Sequence, residues 1–296
     1  MMEMMLNAAF FDRLSRLRLA MGGKSSMNMT GNRKSMQKGS STEFSDFREY
    51  MPGDDLRRID WNAYGRLDRL YVKEYMEEKE TVVSILIDTS ASMRYGAKSK
   101  SALACMLAAA LACMGLNNMD RVVLYDMQNM QTPFVAGGGK RALPRLAGFL
   151  SGLTFEGRVE LTEAVRRLPA KGAGMTIILS DFLQDIFLEP KAEALGNMLR
   201  FLNYRKQNPV LLQVLAGEEL SVELTGTKNL IDMEENSALL LTLDAASIRV
   251  YQAALGEFLS SLRRMCAKAG AFYAVCSTET AIDQLIFEDL RKLYDI

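Results

Sequence analysis

From Thr81 onward, short apolar runs alternate with longer stretches whose apolar residues recur at helical spacing. TVVSILID, DRVVLYDM, MTIILSDF, PVLLQVLA and AFYAVCST predict strands at about 81–88, 120–127, 174–181, 209–215 and 271–277. MTIILSDF shows no polar alternation before Ser180, as a central parallel strand covered on both faces requires. TPFVA adds an edge strand. Between the runs, the segment Ser101 to Met119, KRALPRLAGFLSGL and ELTEAVRRL predict helices, with Pro144 placed in a first turn. Further helices are predicted at about 190–206, 244–269 and 282–294. An insertion at about 217–243 alternates in NLIDMEENSALLLTL, which predicts a β-hairpin turning at Glu235-Asn236-Ser237. The whole pattern predicts an α/β fold: a doubly wound, mostly parallel, Rossmann-like sheet flanked by helices. In such sheets ligands bind beyond the carboxyl ends of the strands, where strand order reverses.

The first eighty residues follow no such rhythm. Residues 7–21 place Phe10, Phe11, Leu14, Leu17 and Met21 at helical spacing with arginines between them, predicting an amphipathic helix docked on the main domain. The stretch GGKSSMNMTGNRKSMQKGSSTEFS is rich in Gly, Ser, Asn and Lys and reads as loops or short hairpins. Residues 31–80 hold too few apolar side chains for a core of their own. The expected organisation is therefore an accessory region, 1–80, packed on a main domain, 81–296.

Composition removes several classes of function. Lys plus Arg and Asp plus Glu number 36 each, so no global field draws in nucleic acid. Histidine is absent, and with it the commonest general base, the Ser-His and Cys-His pairs and imidazole metal sites. Cys105, Cys113, Cys266 and Cys276 form no CxxC pair and read as core thiols in a reducing cytosol. The opening residues lack the basic-then-apolar pattern of a signal peptide. Ser101 to Met119 is uncharged and nearly long enough to cross a bilayer, but Ala, Cys and Met dominate it, as in a helix buried against a sheet. A cytoplasmic protein without a membrane span is expected.

Candidate chemistry gathers at two strand ends, ILIDTSAS and IILSD. If those strands are neighbours, Asp88, Ser90, Ser92 and Asp181 meet in one crevice, with Asp181 at an exposed loop end. Two carboxylates with hydroxyls and no sulfur or imidazole suit Mg²⁺ or Mn²⁺. The bland alternative is a serine capping the next helix while Asp88 accepts backbone N–H groups. AGGGKRAL lacks the spacing and the hydroxyl of a phosphate loop, and DTSASM replaces a dinucleotide fingerprint. In GDDLRRIDW, residues 53–61, Asp54, Asp55 and Asp60 are interleaved with Arg57 and Arg58. This reads as a turn tied by ion pairs and anchored by Ile59 and Trp61, or as a surface that fixes a partner's register.

ILIDTSASM and IILSD resemble the first and last motifs of the metal-ion-dependent adhesion site of von Willebrand factor A domains. EFSDFREYMPGDDLRRIDWNAYGRLDRLYVKEY is similar to the hallmark of the bacterial domain-of-unknown-function family fifty-eight, whose genes commonly lie beside those of MoxR-type AAA+ ATPases. The resemblance implies that Ser90 and Ser92 bind a cation directly and that Asp88 and Asp181 hold it through water. Val159 stands where the family commonly places a threonine, with Glu160 and Thr162 as the nearest oxygen donors. A weak Mg²⁺ or Mn²⁺ site, completed by an acidic residue of a MoxR-type ATPase or its client, is the expectation. The alternative is a Mg²⁺-dependent phosphatase of the haloacid-dehalogenase type, which would want an acid where Ser90 stands.

Overall fold

A computed structural model describes residues 8–20, 38–76, 81–169, 173–183, 189–222, 226–231, 233 and 238–295. Two compact units emerge: residues 1–21 with 81–296, and residues 22–80. The boundary at Thr81 is where the apolar rhythm begins. The N-terminal helix belongs to the larger unit.

In chain order the elements are α1 (Ala8–Leu14), β1 (Arg18–Leu19), β2 (Lys38–Glu49), α2 (Trp61–Leu67), β3 (Tyr71–Met76) and β4 (Val82–Ile87). Then come α3 (Lys100–Asn117), β5 (Arg121–Asp126), β6 (Phe134–Ala136), α4 (Leu143–Ser151), α5 (Leu161–Arg166) and β7 (Gly174–Ser180). The remainder is α6 (Glu189–Tyr204), β8 (Gln207–Leu215), α7 (Gly217–Leu220), β9 (Gly226–Ile231), β10 (Ala238–Leu243), α8 (Ala245–Lys268), β11 (Phe272–Ser277), α9 (Ile282–Gln284) and β12 (Tyr294–Asp295).

The central sheet runs β11-β8-β7-β4-β5-β6, parallel except for the antiparallel edge strand β6. The chain leaves β4 toward β5 and β6, then returns to β7 on β4's other side. Strand order therefore reverses between β4 and β7, and the carboxyl ends of those two strands lie side by side at the position where such sheets bind ligands. The core lies in two layers set by alternation along each strand. Val83, Ile85 and Ile87 join one layer with Leu14 of α1, Leu107 and Leu111 of α3 and Leu150 of α4. Leu86 joins the other with Leu199 of α6 and Leu262 of α8.

Helix α3 is the one helix among the described residues long and apolar enough to cross a membrane, and 72% of it is buried inside the unit. Its small residues let it lie close to the sheet: a Cβ on Gly115 would stand 2.9 Å from Val122 Cγ2. All four cysteines are buried thiols, and burial pushes Cys105, Cys266 and Cys276 up to about 12.

Three predicted elements differ. The N-terminal helix stops at Leu14, and β1 pairs antiparallel with β12, which puts Leu17 and Leu19 into the core at a spacing of two. The end of the stretch read as loops or short hairpins belongs to a longer strand, Lys38–Glu49, paired antiparallel with β3. The last helix is broken into α9, a π-type turn at Leu285–Asp289 and a 3-10 turn at Arg291–Leu293. The hairpin β9/β10 is present, with its turn outside the described residues, as is Met21.

Within residues 22–80, the carboxylates of GDDLRRIDW pair outside the segment, Asp54 with Arg48 at 2.7 Å and Asp60 with Lys73 at 3.2 Å. Asp55 caps the short 3-10 turn Leu56–Arg58 by accepting from Arg57 N, and Asp60 caps α2 through Asn62 N and Ala63 N. Ile59 is the anchor expected, but Trp61 is 62% exposed and stacks edge-on with Tyr64. The reason is positional: Trp61 opens α2, a helix with no buried residue. Trp61→Ala should therefore change the unfolding free energy by no more than about 0.5 kcal/mol, against about 2 kcal/mol or more for Ile59→Ala, measured by denaturant titration.

The Ala63 N–H chiefly, with Lys73 and the Asn62 N–H, holds the Asp60 carboxyl below its ordinary value against the opposing effect of burial. Its contribution to stability is present above the unfolded-state value and is lost as pH falls through the folded-state value. Asp60→Asn should flatten that part of the acid limb of a pH-dependent melting series, and an unchanged limb would remove Asp60 as its source.

Candidate functional site

The candidate site is built where β4 and β7 end. Asp88 follows β4, and its N–H donates to Leu179 O across the gap at 2.9 Å. Asp88 Oδ2 accepts from Ser180 Oγ at 2.5 Å, and Oδ1 accepts from Ser90 N at 2.9 Å. The DTSASM segment then turns through a 3-10 stretch, Ala91–Arg94, which sets Ser90 Oγ and Ser92 Oγ 3.1 Å apart. Ser92 Oγ donates to Asp181 Oδ2 at 2.9 Å. Asp88, Ser90, Ser92 and Asp181 thus form one hydrogen-bonded chain across the switch point.

Asp181 is not an exposed loop end: it is 1% exposed, correcting that expectation. Its Oδ1 accepts from Leu183 N, and its carbonyl accepts from Gln213 Nε2 on β8. The sequence reading missed what lies on its other side. Lys100, first residue of α3, places Nζ 2.7 Å from Asp181 Oδ2 and 2.7 Å from Glu219 Oε1, with its side chain 1% exposed. Glu219 belongs to α7, and its Oε2 accepts from Ala216 N at 2.7 Å. Ser99 caps α3 through Ala102 N, fixing the turn from which Lys100 projects.

Burial would pull the Lys100 ammonium down, but Asp181 and Glu219 more than reverse this and hold it above its ordinary value. Burial, with Asp181 beside it, pushes Asp88 up, and hydrogen bonds from Ser180 and Ser90 oppose the rise. Burial also holds Glu219 above the usual carboxylate range, against the pull of Lys100. The signal for Lys100 in the sequence was slight: it is the last charge before a long uncharged helix.

The remaining candidates lie apart from this chain of contacts. Val159 is buried in the apolar layer with Ala164 and Leu86. Glu160 is exposed, with Arg158 Nε 3.8 Å away, and Thr162 is half-buried on α5. The 154–160 loop is tied to the serine segment, Ala91 N donating to Gly157 O and Glu156 N to Thr89 O. Asp126, at the end of β5, accepts from Thr89 Oγ1 at 2.5 Å.

The donor set does not fit Mg²⁺ or Mn²⁺ as it stands. Both oxygens of Asp88 and both of Asp181 are engaged, and an ammonium already neutralises Asp181. Mg²⁺ demands near-octahedral oxygen ligation and gives up its waters reluctantly. Among the described residues no group of three or more Cys, Asp or Glu is placed to hold a metal ion.

Two mycobacterial proteins, Uncharacterized protein Rv1480 of Mycobacterium tuberculosis and Uncharacterized protein Mb1516 of Mycobacterium bovis, are each 28% identical over 158 residues, 50% of this chain and 49% of theirs. The chain spans about half the length of these curated relatives. Among solved structures, the conserved hypothetical protein BatB from Bacteroides thetaiotaomicron is 18% identical with a TM-score of 0.40, covering 72% of this chain and 98% of its own. An aerotolerance-related membrane protein from Bacteroides fragilis is 15% identical with a TM-score of 0.39, covering 72% and 99%. The model of one family matches residues 46–257, from the GDDLRRIDW region through the crevice to α8, and the chain belongs to that family, Protein of unknown function DUF58.

Proposed function

We propose that the chain is a non-enzymatic protein-binding module, a von Willebrand A-like domain that receives an acidic residue of a partner in the crevice between β4 and β7. The partner is a MoxR-type AAA+ ATPase or a client it remodels, met in the cytoplasm. One observation carries this reading: Asp88, Ser90, Ser92 and Asp181 are linked across the point where strand order reverses, with a cationic group, Lys100, held against Asp181. Phosphatase chemistry is less well supported, because Asp88 has both oxygens engaged and Ser90 stands where a general acid is needed.

Capture of the host's MoxR-type ATPase on the immobilised chain tests the reading. Ser92→Ala removes the hydroxyl between Ser90 and Asp181, and should weaken capture about tenfold, the worth of one hydrogen bond to a charged group. Full-strength capture by Ser92→Ala, with loss on Trp61→Ala, would move the binding surface to GDDLRRIDW, where Asp54, Asp55, Arg57, Arg58 and Asp60 are the contacts to examine next.

A further inference from the structure

We propose that the Lys100 ammonium is the fixed cation of this crevice and that Glu219 is a built-in carboxylate, which an acidic side chain of the partner displaces. The inference rests on the binding reading above and names how that site takes its ligand, without a divalent metal.

The two carboxylates that flank Lys100 are not equivalent. Asp181 is fixed at the end of the central sheet, where Ser92 Oγ, Leu183 N and Lys100 Nζ all reach its side chain. Glu219 is the outer one. Its side chain is 13% exposed against 1% for Asp181, and it sits on a four-residue turn, α7, that contains no buried residue. Besides Lys100, Glu219 is held by Ala216 N at its carboxylate and by Tyr251 Oη at its carbonyl. Tyr95, 39% exposed, places its ring centroid 5.9 Å from Lys100 Nζ, an aromatic group between the ion pair and the surface.

Charge bookkeeping favours exchange over addition. Lys100 lies between two carboxylates, so replacing one carboxylate by another leaves the buried charge unchanged. The ion pair lost by Glu219 is remade by the incoming group, while Glu219 regains water. A divalent cation brought to Asp181 would instead sit against an ammonium already 2.7 Å from the same oxygen, where like charges repel strongly in a buried setting. Lys100 thus supplies the positive charge that an adhesion site of this kind requires, from within the chain.

Three measurements on the full chain test the proposal. Mn²⁺ alone, titrated and followed by its paramagnetic resonance, should show no saturable binding to the native chain below about 1 mM, the weak end of oxygen-ligand sites. Lys100→Met should bind it about tenfold tighter or better, because the repelling charge is gone. Should Lys100→Met not fold, Lys100→Met/Glu219→Gln removes one charge of each sign and answers the same question. Acetate added to Glu219→Gln should shift the Lys100 ε-methylene resonances saturably, and should do so far less in the native chain. In chelator, Glu219→Gln should capture the MoxR-type ATPase about five- to tenfold more tightly, since the competing carboxylate is removed.

Tight Mn²⁺ binding by the native chain, abolished by Asp181→Asn, would overturn the proposal, as would an acetate response unchanged by Glu219→Gln. If acetate binds Glu219→Gln as expected but no variant captures the ATPase, the partner assignment fails and the role of Lys100 stands.

Discussion

Lys100→Met should lower the unfolding free energy by about 3–5 kcal/mol, the loss typical of removing one member of a buried ion pair. The size follows from what is left behind. Methionine fills most of the lysine's volume, so packing changes little, yet Asp181 and Glu219 then face each other across a site with no cation. The strain sits in the uncompensated charges, so neutralising one of them should restore part of the loss. Glu219→Gln made in the Lys100→Met background is expected to recover about 1–2 kcal/mol, a coupling of the size seen between residues in one charged network. Guanidinium is a poor probe here because it is itself a cation; urea titrations of the four proteins of this cycle give the comparison. Simple additivity of the two substitutions would mean that Lys100 and Glu219 do not share the network described.

Gly174→Ala should cost about 3 kcal/mol, at the upper end for adding one methyl group to a packed interior. Gly174 opens β7 between Val82 of β4 and Gln207 of β8. An added Cβ would stand 2.4 Å from Val82 O and 3.0 Å from Gln207 Oε1. The first contact is with backbone that belongs to the sheet ladder and cannot turn aside. The second is with a buried amide that accepts from Thr176 Oγ1, so moving it breaks a buried hydrogen bond. A urea midpoint within error of the native value would show that β7 can slide away from β4, and would weaken any claim that the switch point is rigid.

Much of this arrangement was legible in the sequence for a physical reason. Strands buried on both faces must be apolar throughout, so β4, β5, β7 and β8 announced themselves, and the Asp and Ser residues closing β4 and β7 stood out against that background. Lys100 did not, because a lysine in the first turn of a helix ordinarily reads as solvated. Its burial depends on Glu219, more than a hundred residues away, and no local pattern couples the two positions. Asp181 was misplaced for the same reason: a carboxylate after a strand is ordinarily wet, and it is the contacts from Ser92, Leu183 N and Lys100 that make its burial tolerable. Trp61 shows the converse failure, an aromatic assigned to a core because of its type, when its place at the first position of a short surface helix leaves it outside. The early end of α1 was hidden because Leu17 fits both a helical stripe and the alternation of β1.

The pairing of β1 with β12 also imposes an order on synthesis. Arg18 and Leu19 find their strand partners only at Asp295 and Tyr294, so the earlier segment waits for one made some 275 residues later. At about 5–20 residues per second that interval lasts roughly 15–55 seconds on a translating ribosome. Throughout it Leu14, Leu17 and Leu19 lack Leu290 and Leu293, members of the same core cluster. The larger unit is thus closed by β12, and a nascent chain stalled before that strand presents an apolar surface that a chaperone can hold and an aggregate can recruit.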